Sequence, residues 1–244
     1  MAVRQMKIAI TNDDGIQGEG IRRLVQWAQK LGEVWVFAPK VEQSAKSHAI
    51  EIHKPFEAKE TTFPGAARAW AVDSTPADCI RFAILGLHEQ FDLVISGVNR
   101  GLNIGQDIMY SGTVSAVFEA GALGTCGLAL STDPESFDDA FAHLDAVWSY
   151  LTEHNLFSRN RLWNVNIPMG TTGEFRLTRQ GGPYYSDDFG PLENDMYTPL
   201  GKPVWVTRND ETLDTDTVLH YRHISVTPLT IDRTNLAVFD ELTE

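Results

Sequence analysis

The chain has 244 residues, of which 43% are hydrophobic and 22% are charged, a composition typical of an ordinary folded globular protein. It carries 20 Lys and Arg residues against 33 Asp and Glu residues, which gives a formal net charge of −13 at pH 7. This charge repels nucleic-acid backbones and anionic membrane surfaces, and it excludes polymeric nucleic acid and a membrane as main partners. To bind a phosphate group, such a protein needs a metal ion, backbone N–H groups or a helix N-terminus that offsets its own field.

The two cysteines, Cys79 and Cys126, lie far apart in apolar surroundings. Their spacing excludes a CxxC metal site and a disulfide framework, so we expect two buried thiols. The apolar segment before Asn12 is too short for a secretory signal. The longest uncharged run, residues 120–132, is shorter than the roughly 20 apolar residues of a membrane span. These features predict a protein of the reducing cytoplasm.

Apolar strand-like runs alternate with helical patterns over the first two thirds of the chain. Residues 7–11 form such a run, apolar residues then recur at helical spacing from Ile21 to Leu31, and a second run at 34–38 ends at Pro39. Because the order is β-α-β, we expect a right-handed crossover and a parallel sheet.

The alternation continues as far as Pro168. Residues 74–78 predict a helix start, because they supply a capping hydroxyl, a proline and an acidic residue in the first turn. Further strands are predicted at 92–97, 127–131 and 163–167, with helices at 113–123 and 136–155. This order predicts an α/β fold, a Rossmann-like, doubly wound and mostly parallel sheet.

The pattern changes after Pro168, where short β-like runs at 204–207 and 223–227 alternate with Gly, Pro, Asn and Asp. We interpret residues 1–168 as a Rossmann-like catalytic core and residues 169–244 as extended β arms of the same domain. Residues 183–203 carry aromatic side chains that no local βα unit can bury, and a large exposed apolar patch is a liability in a monomer. The arms therefore predict a homodimer or homotetramer, with residues 210–229 contributing to the interface.

In open α/β sheets, ligands bind beyond the carboxyl ends of the strands. Asp13 and Asp14 directly follow the first predicted strand. Adjacent aspartates repel each other at close range unless a hard cation neutralises both. A plain turn explains an Asp-Asp-Gly sequence about as well, but the position at a strand end favours a metal site.

Two further segments are suited to binding an anion. The loop 96–105 is rich in Gly and Asn, which permits close approach of its backbone to a ligand. Ser111, Gly112 and Thr113 precede a predicted helix of small residues, so N–H groups, hydroxyls and the helix dipole would converge on a phosphate. N-capping of that helix by Ser111 or Thr113 alone is the alternative, and the sequence leaves it open.

Sequence motifs that would indicate other classes of enzyme or binding site are absent or incomplete. Gly18-Glu19-Gly20 lacks the third glycine of a dinucleotide fingerprint, and neither a P-loop nor a GxSxG elbow occurs. Residues 214–217 imitate the DxDxT of aspartyl-phosphate phosphatases, but no apolar strand precedes them. His220 and His223 have a spacing that can bind zinc on a helix, yet no third ligand accompanies them, so we expect solvent-facing or interface histidines.

Taken together and in order, five motifs resemble those of the SurE family of metal-dependent nucleotidases and phosphatases. The resemblance spans roughly residues 7–231. The matching segments are 10–16 (ITNDDGI), 38–49 (from Ala-Pro through Gln-Ser to Ser-His-Ala), 74–79 (STPADC), 96–101 (SGVNRG) and 110–114 (YSGTV), with 215–216 and 225–229 similar to the closing segment. Ala45 departs from the pattern, because the family often has glycine at that position, and this affects the expected loop shape more than the ligand.

The resemblance implies a site and an activity. Asp13, Asp14, Ser44 and Asn99 would hold one divalent metal ion per subunit, Mg²⁺ or Mn²⁺, and all four are oxygen donors. Ser111, Gly112 and Thr113, with Ser96 and Gly97 nearby, would bind the phosphate.

The implied reaction is hydrolysis of nucleoside 5′-monophosphates, and of 3′-monophosphates as a further substrate. Asp13 or Asp14 would orient the attacking water, and Asn99, Ser111 and Thr113 would stabilise the transferring group. The alternatives are a broad acid phosphatase or exopolyphosphatase that uses the same site, and a non-catalytic nucleotide-binding regulator.

Overall fold

The computed structural model describes residues 5–135 and 137–243. The described strands are β1 (Met6–Thr11), β2 (Gly32–Pro39), β3 (Ala58–Thr61), β4 (Arg68–Val72), β5 (Leu93–Arg100), β6 (Cys126–Thr132), β7 (Leu162–Ile167), β8 (Phe175–Leu177), β9 (Tyr185–Ser186), β10 (Phe189–Pro191), β11 (Tyr197–Pro199), β12 (Lys202–Pro203) and β13 (Ile224–Leu229). The central sheet has nine strands in the order β3-β4-β2-β1-β5-β6-β7-β13-β8. The strands from β4 to β7 in that order are all parallel, which confirms the predicted α/β sheet.

Helices cover both faces of the sheet. They are α1 (Glu19–Ala28), α2 (Pro76–Arg81) with a π-helical continuation (Phe82–Gly86), α3 (Gly112–Ala122), α4 (Asp138–Glu153), α5 (Leu156–Arg159), α6 (Asp214–Leu219) and α7 (Leu236–Thr243), and a 3₁₀ helix (Gly105–Tyr110) precedes α3. Side chains of β1 alternate between the two faces, as a strand requires. Ile8 and Ile10 pack in the core cluster that contains residues of α1 and α4, and Ala9 packs in the cluster that contains residues of α2 and α3. The fold is therefore doubly wound.

The strand order places a switch point beside β1. The chain moves from β1 to β2 on one side, and β5 pairs with β1 on the other side. The loops that leave β1 and β5 therefore diverge and leave a crevice at the carboxyl edge, the usual ligand site of such sheets.

The segment after residue 168 contributes both to the sheet and to its surroundings. β13 pairs antiparallel with β7 and parallel with β8, so two strands of this segment extend the central sheet. β10 pairs with β11, and β9 pairs with β12, as short antiparallel ribbons outside it. Phe189, Met196 and Tyr197 in these ribbons are each at least 60% exposed.

Several local predictions need correction. Residues 204–207 are not a strand, because the side chains of Trp205 and Thr207 turn to the carboxylate of Asp216 instead of pairing in a sheet. Cys79 is buried as expected, but Cys126 is only partly buried at the start of β6. The helix predicted for 136–155 is found as α4, and its predicted first residue, Ser136, lies outside the described residues. In the described part of the chain we find no helix with the length and apolar character needed to cross a membrane.

Candidate active site at the carboxyl edge of the sheet

The turn after β1 brings two aspartates to the crevice. Thr11 at the end of β1 lies beside Ser96 of β5 in the parallel register, so the turn begins next to the glycine-rich loop. The Asn12 amide donates to the carbonyl of Gly15 at 2.9 Å, which closes the turn. Asp13 follows with only 6% of its surface exposed.

Asp13 is connected directly to the start of α3. The Thr113 hydroxyl donates to Oδ1 of Asp13 at 2.6 Å, across 100 residues of sequence. Gly112 allows this contact, because a Cβ there would lie 3.0 Å from the Cβ and 3.3 Å from Oδ2 of Asp13. The first turn of α3 and the aspartate turn therefore share one side of the crevice.

Both aspartates have raised pKa values. Burial raises the pKa of Asp13, and the hydrogen bond from Thr113 offsets this only in part. Burial, followed by repulsion from Asp13, raises the pKa of Asp14 to about 6. Close carboxylates with this environment are costly to ionise together without a compensating positive charge.

Four buried oxygen atoms at the ends of β1 and β5 and in the turn after β1 lack a hydrogen-bond partner among the described residues. They are Oγ1 of Thr11, Oδ1 of Asn12, Oδ2 of Asp14 and Oγ of Ser96. Buried polar atoms in native proteins are ordinarily hydrogen-bonded or bound to an ion or water, so these oxygen atoms are free to bind such a partner. All of these potential ligand atoms are oxygen atoms, the ligand type that a hard divalent cation prefers. The group therefore fits such a cation beside the aspartates.

The loop after β2 carries Ser44 to the same edge. The backbone N–H of Gln43 donates to the carbonyl of Asp13 at 2.8 Å, so the loop lies against the aspartate turn. Ser44 is exposed, and its hydroxyl donates to Oε1 of Glu42 at 2.5 Å. The Glu42 charge adds to the repulsion that raises the pKa values of both aspartates.

The end of β5 supplies Ser96, Gly97 and Asn99. The register between β5 and β6 shifts between Ser96 and Asn99, which bends the strand at Gly97. Gly97 has φ of +133°, and a side chain there would collide with the carbonyl oxygen of Leu130, so this position requires glycine. The Asn99 amide donates to the carbonyl of Gly101 at 2.8 Å, and its oxygen therefore remains available as an acceptor.

A buried amide network fixes the loop that follows. Asn103 donates through its side chain to the hydroxyl of Ser131 at 2.7 Å, and its carbonyl accepts from the amides of Asn164 and Asn166 at 2.8 and 2.9 Å. This network ties the loop to the ends of β6 and β7. The sequence alone gives no sign of it beyond the asparagines themselves.

Ser111 is the N-cap of α3, since its hydroxyl accepts from the backbone N–H of Val114 at 3.0 Å. The capping alternative that the sequence left open is thus realised. It does not compete with anion binding, because a hydroxyl that accepts one hydrogen bond still has its own proton to donate. The first N–H groups of the helix have no intrahelical acceptor and carry the positive end of its dipole.

The predicted site residues are found in three arrangements. Asp13, Asp14, Ser96 and Gly97 stand at or after the neighbouring ends of β1 and β5, and Ser111, Gly112 and Thr113 begin α3, which the Thr113 hydroxyl joins to Asp13. Ser44 follows Gln43, whose backbone N–H donates to the carbonyl of Asp13. Asn99 lies farther along β5 with its amide on Gly101, and the backbone of the next residue, Arg100, hydrogen-bonds to the Asp14 carboxylate. Among residues 5–135 and 137–243, no group of three or more His, Cys, Asp or Glu side chains forms a metal cluster. Any cation here would therefore depend on the Ser and Asn oxygens as well as the two aspartates.

The competing motifs have structural explanations in this fold. Asp214 receives the backbone N–H groups of Gly105 and Gly181 at 2.8 to 3.1 Å. Asp216 receives the backbone N–H groups of Arg208 and Asp210 at 2.8 and 3.0 Å. These buried carboxylates hold loops together, at the start of α6 and not at the end of a sheet strand.

The two late histidines do not share a helix. The last residue of α6 is Leu219, so the spacing of His220 and His223 is not helical. His223 is 9% exposed, and its Nδ1 is 2.7 Å from the hydroxyl of Thr172. That contact makes His223 a buried structural residue and not the solvent-facing residue that we expected, whereas His220 is exposed as expected. A place for either histidine at an interface stays a prediction.

The comparison with known proteins agrees with this architecture. The family model described as survival protein SurE matches residues 8–187. The chain belongs to the SurE family. Relatives named 5′-nucleotidase SurE match it at 38% identity in Desulforudis audaxviator, over 97% of this chain and 96% of the relative, and at 40% in Myxococcus xanthus, over 96% and 91%.

A solved SurE structure shows the same fold. The crystal structure of the SurE protein from Aquifex aeolicus superposes with a TM-score of 0.76 at 29% identity, over 97% of this chain and 98% of the other. The predicted family and fold class are thereby confirmed.

Within this SurE chain, sequence reasoning assigned no role to two residues of the crevice. Asn12 is fully buried with an unpartnered oxygen, and Glu42 binds the hydroxyl of Ser44. The available signal for Asn12 was its place directly before the aspartate pair, where a polar residue is buried at a strand end. Glu42 gave none, because a glutamate in a loop is ordinarily solvated.

Proposed function

We propose that this chain is a divalent-metal-dependent 5′-nucleotidase, which hydrolyses nucleoside 5′-monophosphates, and 3′-monophosphates as a further substrate, to nucleoside and phosphate. The observation that carries the proposal is the unpartnered buried oxygen of Asp14 beside Asp13, in front of the first turn of α3. The relatives named 5′-nucleotidase SurE, matched over nearly their full length, support the choice of substrate.

Asp13, Asp14, Ser44 and Asn99 would hold one Mg²⁺ or Mn²⁺ per subunit. Their oxygen atoms are the ligand type that hard cations prefer. The raised pKa values of Asp13 and Asp14 support this assignment, because a cation would offset the cost of ionising two buried neighbours. When bound, such an ion neutralises charge on phosphoryl oxygens and acidifies a water molecule.

The phosphate would lie at the start of α3. Ser111 can donate its hydroxyl proton while its oxygen caps the helix, and Gly112 presents backbone without a side chain. The unpartnered hydroxyl of Ser96, beside Gly97, offers a further donor. Thr113 donates its hydroxyl to Asp13, so its contribution is to hold that carboxylate against the helix.

One aspartate would also orient the attacking water. Oδ1 of Asp13 accepts from Thr113, whereas Oδ2 of Asp14 has no hydrogen-bond partner among the described residues. A carboxylate oxygen without a partner can accept a hydrogen bond from a water molecule, which favours Asp14 for this role.

A panel assay tests the proposal. Purified protein would be incubated with 5′-AMP, 5′-GMP, 3′-AMP, p-nitrophenyl phosphate and polyphosphate, with Mg²⁺, with Mn²⁺ and with EDTA. An Asp14→Asn sample purified in parallel reports contaminating phosphatase. We expect the highest kcat/KM on 5′-monophosphates and no release of phosphate in EDTA.

The substrate panel distinguishes the proposed nucleotidase from the alternative functions. Equal rates on p-nitrophenyl phosphate, or preference for polyphosphate, would identify the broad acid phosphatase or the exopolyphosphatase. Nucleotide binding without release of phosphate would identify a regulator. Full activity in the chelated protein would contradict the metal-dependent reaction.

We also propose a homodimer or homotetramer located in the cytoplasm, assembled through the arms of residues 169–244. The exposed side chains of Phe189, Met196 and Tyr197 support it, because they lie together on short ribbons outside the main sheet. Light scattering of the full chain at micromolar concentration tests assembly, and a monomeric mass would refute it. Truncation before residue 210 tests the part played by residues 210–229.

A further inference from the structure

The loop that carries Ser44 has little regular structure of its own. It runs from Lys40 to Glu57, between the end of β2 and the start of β3, without a helix or a strand. Any side chain that must hold a fixed position on such a loop depends on contacts to the rigid elements around it. Those contacts decide how well Ser44 is placed relative to the aspartates.

A buried carboxylate on α3 provides one of these contacts. Glu119 is 6% exposed, and its Oε2 lies 2.8 Å from Nε2 of His48, four residues after Ser44. Its other oxygen accepts from Nη1 of Arg81 at 3.0 Å. Burial acts to raise the pKa of Glu119, but the hydrogen bonds from His48 and Arg81 outweigh it and hold the pKa below its usual range.

A second buried carboxylate connects the same loop to α2. Asp78 on α2 is 2% exposed and accepts from the backbone N–H of Glu51 at 2.8 Å, farther along the same loop. Arg81 lies 3.9 Å from Asp78 as well as 3.0 Å from Glu119. The loop is thus tied to α3 at His48 and to α2 at Glu51, and Arg81 joins the two carboxylates.

The hydrogen bond between His48 and Glu119 joins the loop to α3 directly, and among the described residues no other hydrogen bond does so. Ser47, the preceding residue, donates to the carbonyls of Met109 and Tyr110, which lie just before that helix. α3 also carries Thr113, which holds Asp13. One helix therefore fixes both the aspartate turn, at its first turn, and the Ser44 loop, two turns later.

We propose that His48 and Glu119 are positioning residues: their hydrogen bond, together with the bond from the Gln43 N–H to the Asp13 carbonyl, sets the place of Ser44 relative to Asp13 and thereby the affinity of the site for its divalent cation. The proposal rests on the proposed metal-dependent function. Neither residue touches the substrate in this account. Arg81 serves to keep the Glu119 carboxylate charged and oriented.

Variants at position 48 test this. His48→Leu removes the bond, and His48→Gln places an amide donor close to the position of Nε2. His53→Leu is the matched control, because His53 is an exposed histidine of the same loop. Mn²⁺ affinity would be measured by electron paramagnetic resonance or calorimetry without substrate, together with kcat, KM for 5′-AMP and the melting temperature.

Loop order has an independent readout in limited trypsin digestion. Lys46 is exposed within the loop, and Lys54 is followed by proline, which blocks cleavage there. Site-resolved mass spectrometry would report the rate of cutting after Lys46.

We expect His48→Leu to weaken Mn²⁺ binding on the order of tenfold, the lower end of the effect of losing a residue that orients a metal ligand, and to speed cleavage after Lys46. His48→Gln should restore most of both, and His53→Leu should match the wild type. Unchanged Mn²⁺ affinity in His48→Leu would overturn the proposal, even with faster cleavage, because the loop would then be held without effect on the site. Equal losses in His48→Gln or His53→Leu would overturn it as well. A wild type that neither binds Mn²⁺ nor hydrolyses 5′-AMP would instead refute the proposed function, and the positioning role with it.

Discussion

The turn after β1 and the start of α6 each carry a pair of aspartates, of which only Asp14 is partly exposed, and the two regions differ in the hydrogen bonds that their carboxylates accept. Asp216 accepts four hydrogen bonds, from Trp205, Thr207, Arg208 and Asp210. Asp14 has a buried oxygen with no partner among the described residues. A carboxylate whose oxygens are all used is part of the scaffold, and one with a spare oxygen is available to a ligand.

The pKa values alone do not make this distinction. Burial raises the pKa of Asp214 to about 6 despite its backbone N–H partners, the same value as for Asp14. For Asp216, burial also acts to raise the pKa, but its hydrogen bonds outweigh it and the pKa is lowered. The count of satisfied oxygens therefore distinguishes the two pairs of aspartates better than the size of a pKa shift does.

The largest effect is expected at Asp14. Asp14→Asn should lower kcat at least on the order of a hundredfold, because it removes a charged group from the reacting centre. The fold should persist, since the side chain fills no apolar core. Asp216→Asn is the scaffold control and should retain kcat within a few-fold. Steady-state rates on 5′-AMP test the loss of kcat, and circular dichroism tests whether the fold persists. Comparable losses of rate in both variants would contradict the different roles of Asp14 and Asp216.

Substitution of Ser111, the N-cap of α3, distinguishes a role in phosphate binding from a role in helix stability alone. Ser111→Ala should lower kcat/KM on the order of tenfold, since a hydrogen bond to a charged group contributes about 1.5–3 kcal/mol. Ser115→Ala is the matched control, because Ser115 donates to the carbonyl of Ser111 inside the same helix. If Ser111→Ala changed only the melting temperature, as we expect for Ser115→Ala, then Ser111 would be a cap and nothing more.

The two regions should respond to pH with opposite signs. The lowered pKa of Asp216 means that its stabilisation is present above the unfolded value of 3.8 and is lost as pH falls through that range. Asp216→Asn should therefore reduce the free energy of unfolding by about 1.5–3 kcal/mol at pH 7, and the difference from wild type should shrink below about pH 4.

Asp14→Asn in EDTA should show the reverse. The raised pKa of Asp14 means that its ionisation costs stability as pH rises from 3.8 through about 6. The variant should be more stable than the wild type at pH 7, by on the order of 1 kcal/mol given the partial exposure of this group. Urea unfolding between about pH 2 and pH 7.5 measures both differences, because the stabilisation by Asp216 is lost only below 3.8. Parallel curves for the two variants would contradict the assignment.

The smallest effect concerns the loop that carries Ser44. Ala45 has φ of +56°, a left-handed conformation that favours glycine. Ala45→Gly relieves that strain but increases the freedom of the unfolded chain, so it should stabilise by less than about 1 kcal/mol. Ala49→Gly, at a position without a positive φ, should destabilise slightly. Thermal unfolding of the two variants side by side tests this, and the same sign for both would refute it.

Much of the fold was predictable because it follows from local patterns. The run ending at Thr11 and the apolar face from Ile21 to Ala28 gave β1 and α1, and Thr75 with Pro76 gave the start of α2. β3 was not predicted, since its four mostly exposed residues at the edge of the sheet leave a weak pattern. β4 was not predicted either, although three of its five residues are buried and it pairs with β2 inside the sheet. The strand predicted at residues 204–207 was wrong, because an alternating run is also found in an extended segment that is held by side-chain contacts.

The sequence by itself determined the chemistry available at the site. Asp13, Asp14, Ser44, Asn99 and the Ser-Gly-Thr of residues 111–113 stand at recognisable positions, because strand ends and helix starts have local signatures. It also determined the family, since five ordered motifs are specific.

Only the tertiary structure decided how these groups are used. The contacts of Thr113 with Asp13 and of His48 with Glu119 join residues that are 100 and 71 positions apart in the sequence. No local pattern encodes them, because each requires two elements to be packed in a particular register. For the same reason, the difference between the spare oxygen of Asp14 and the satisfied oxygens of Asp216 became visible only in the folded chain.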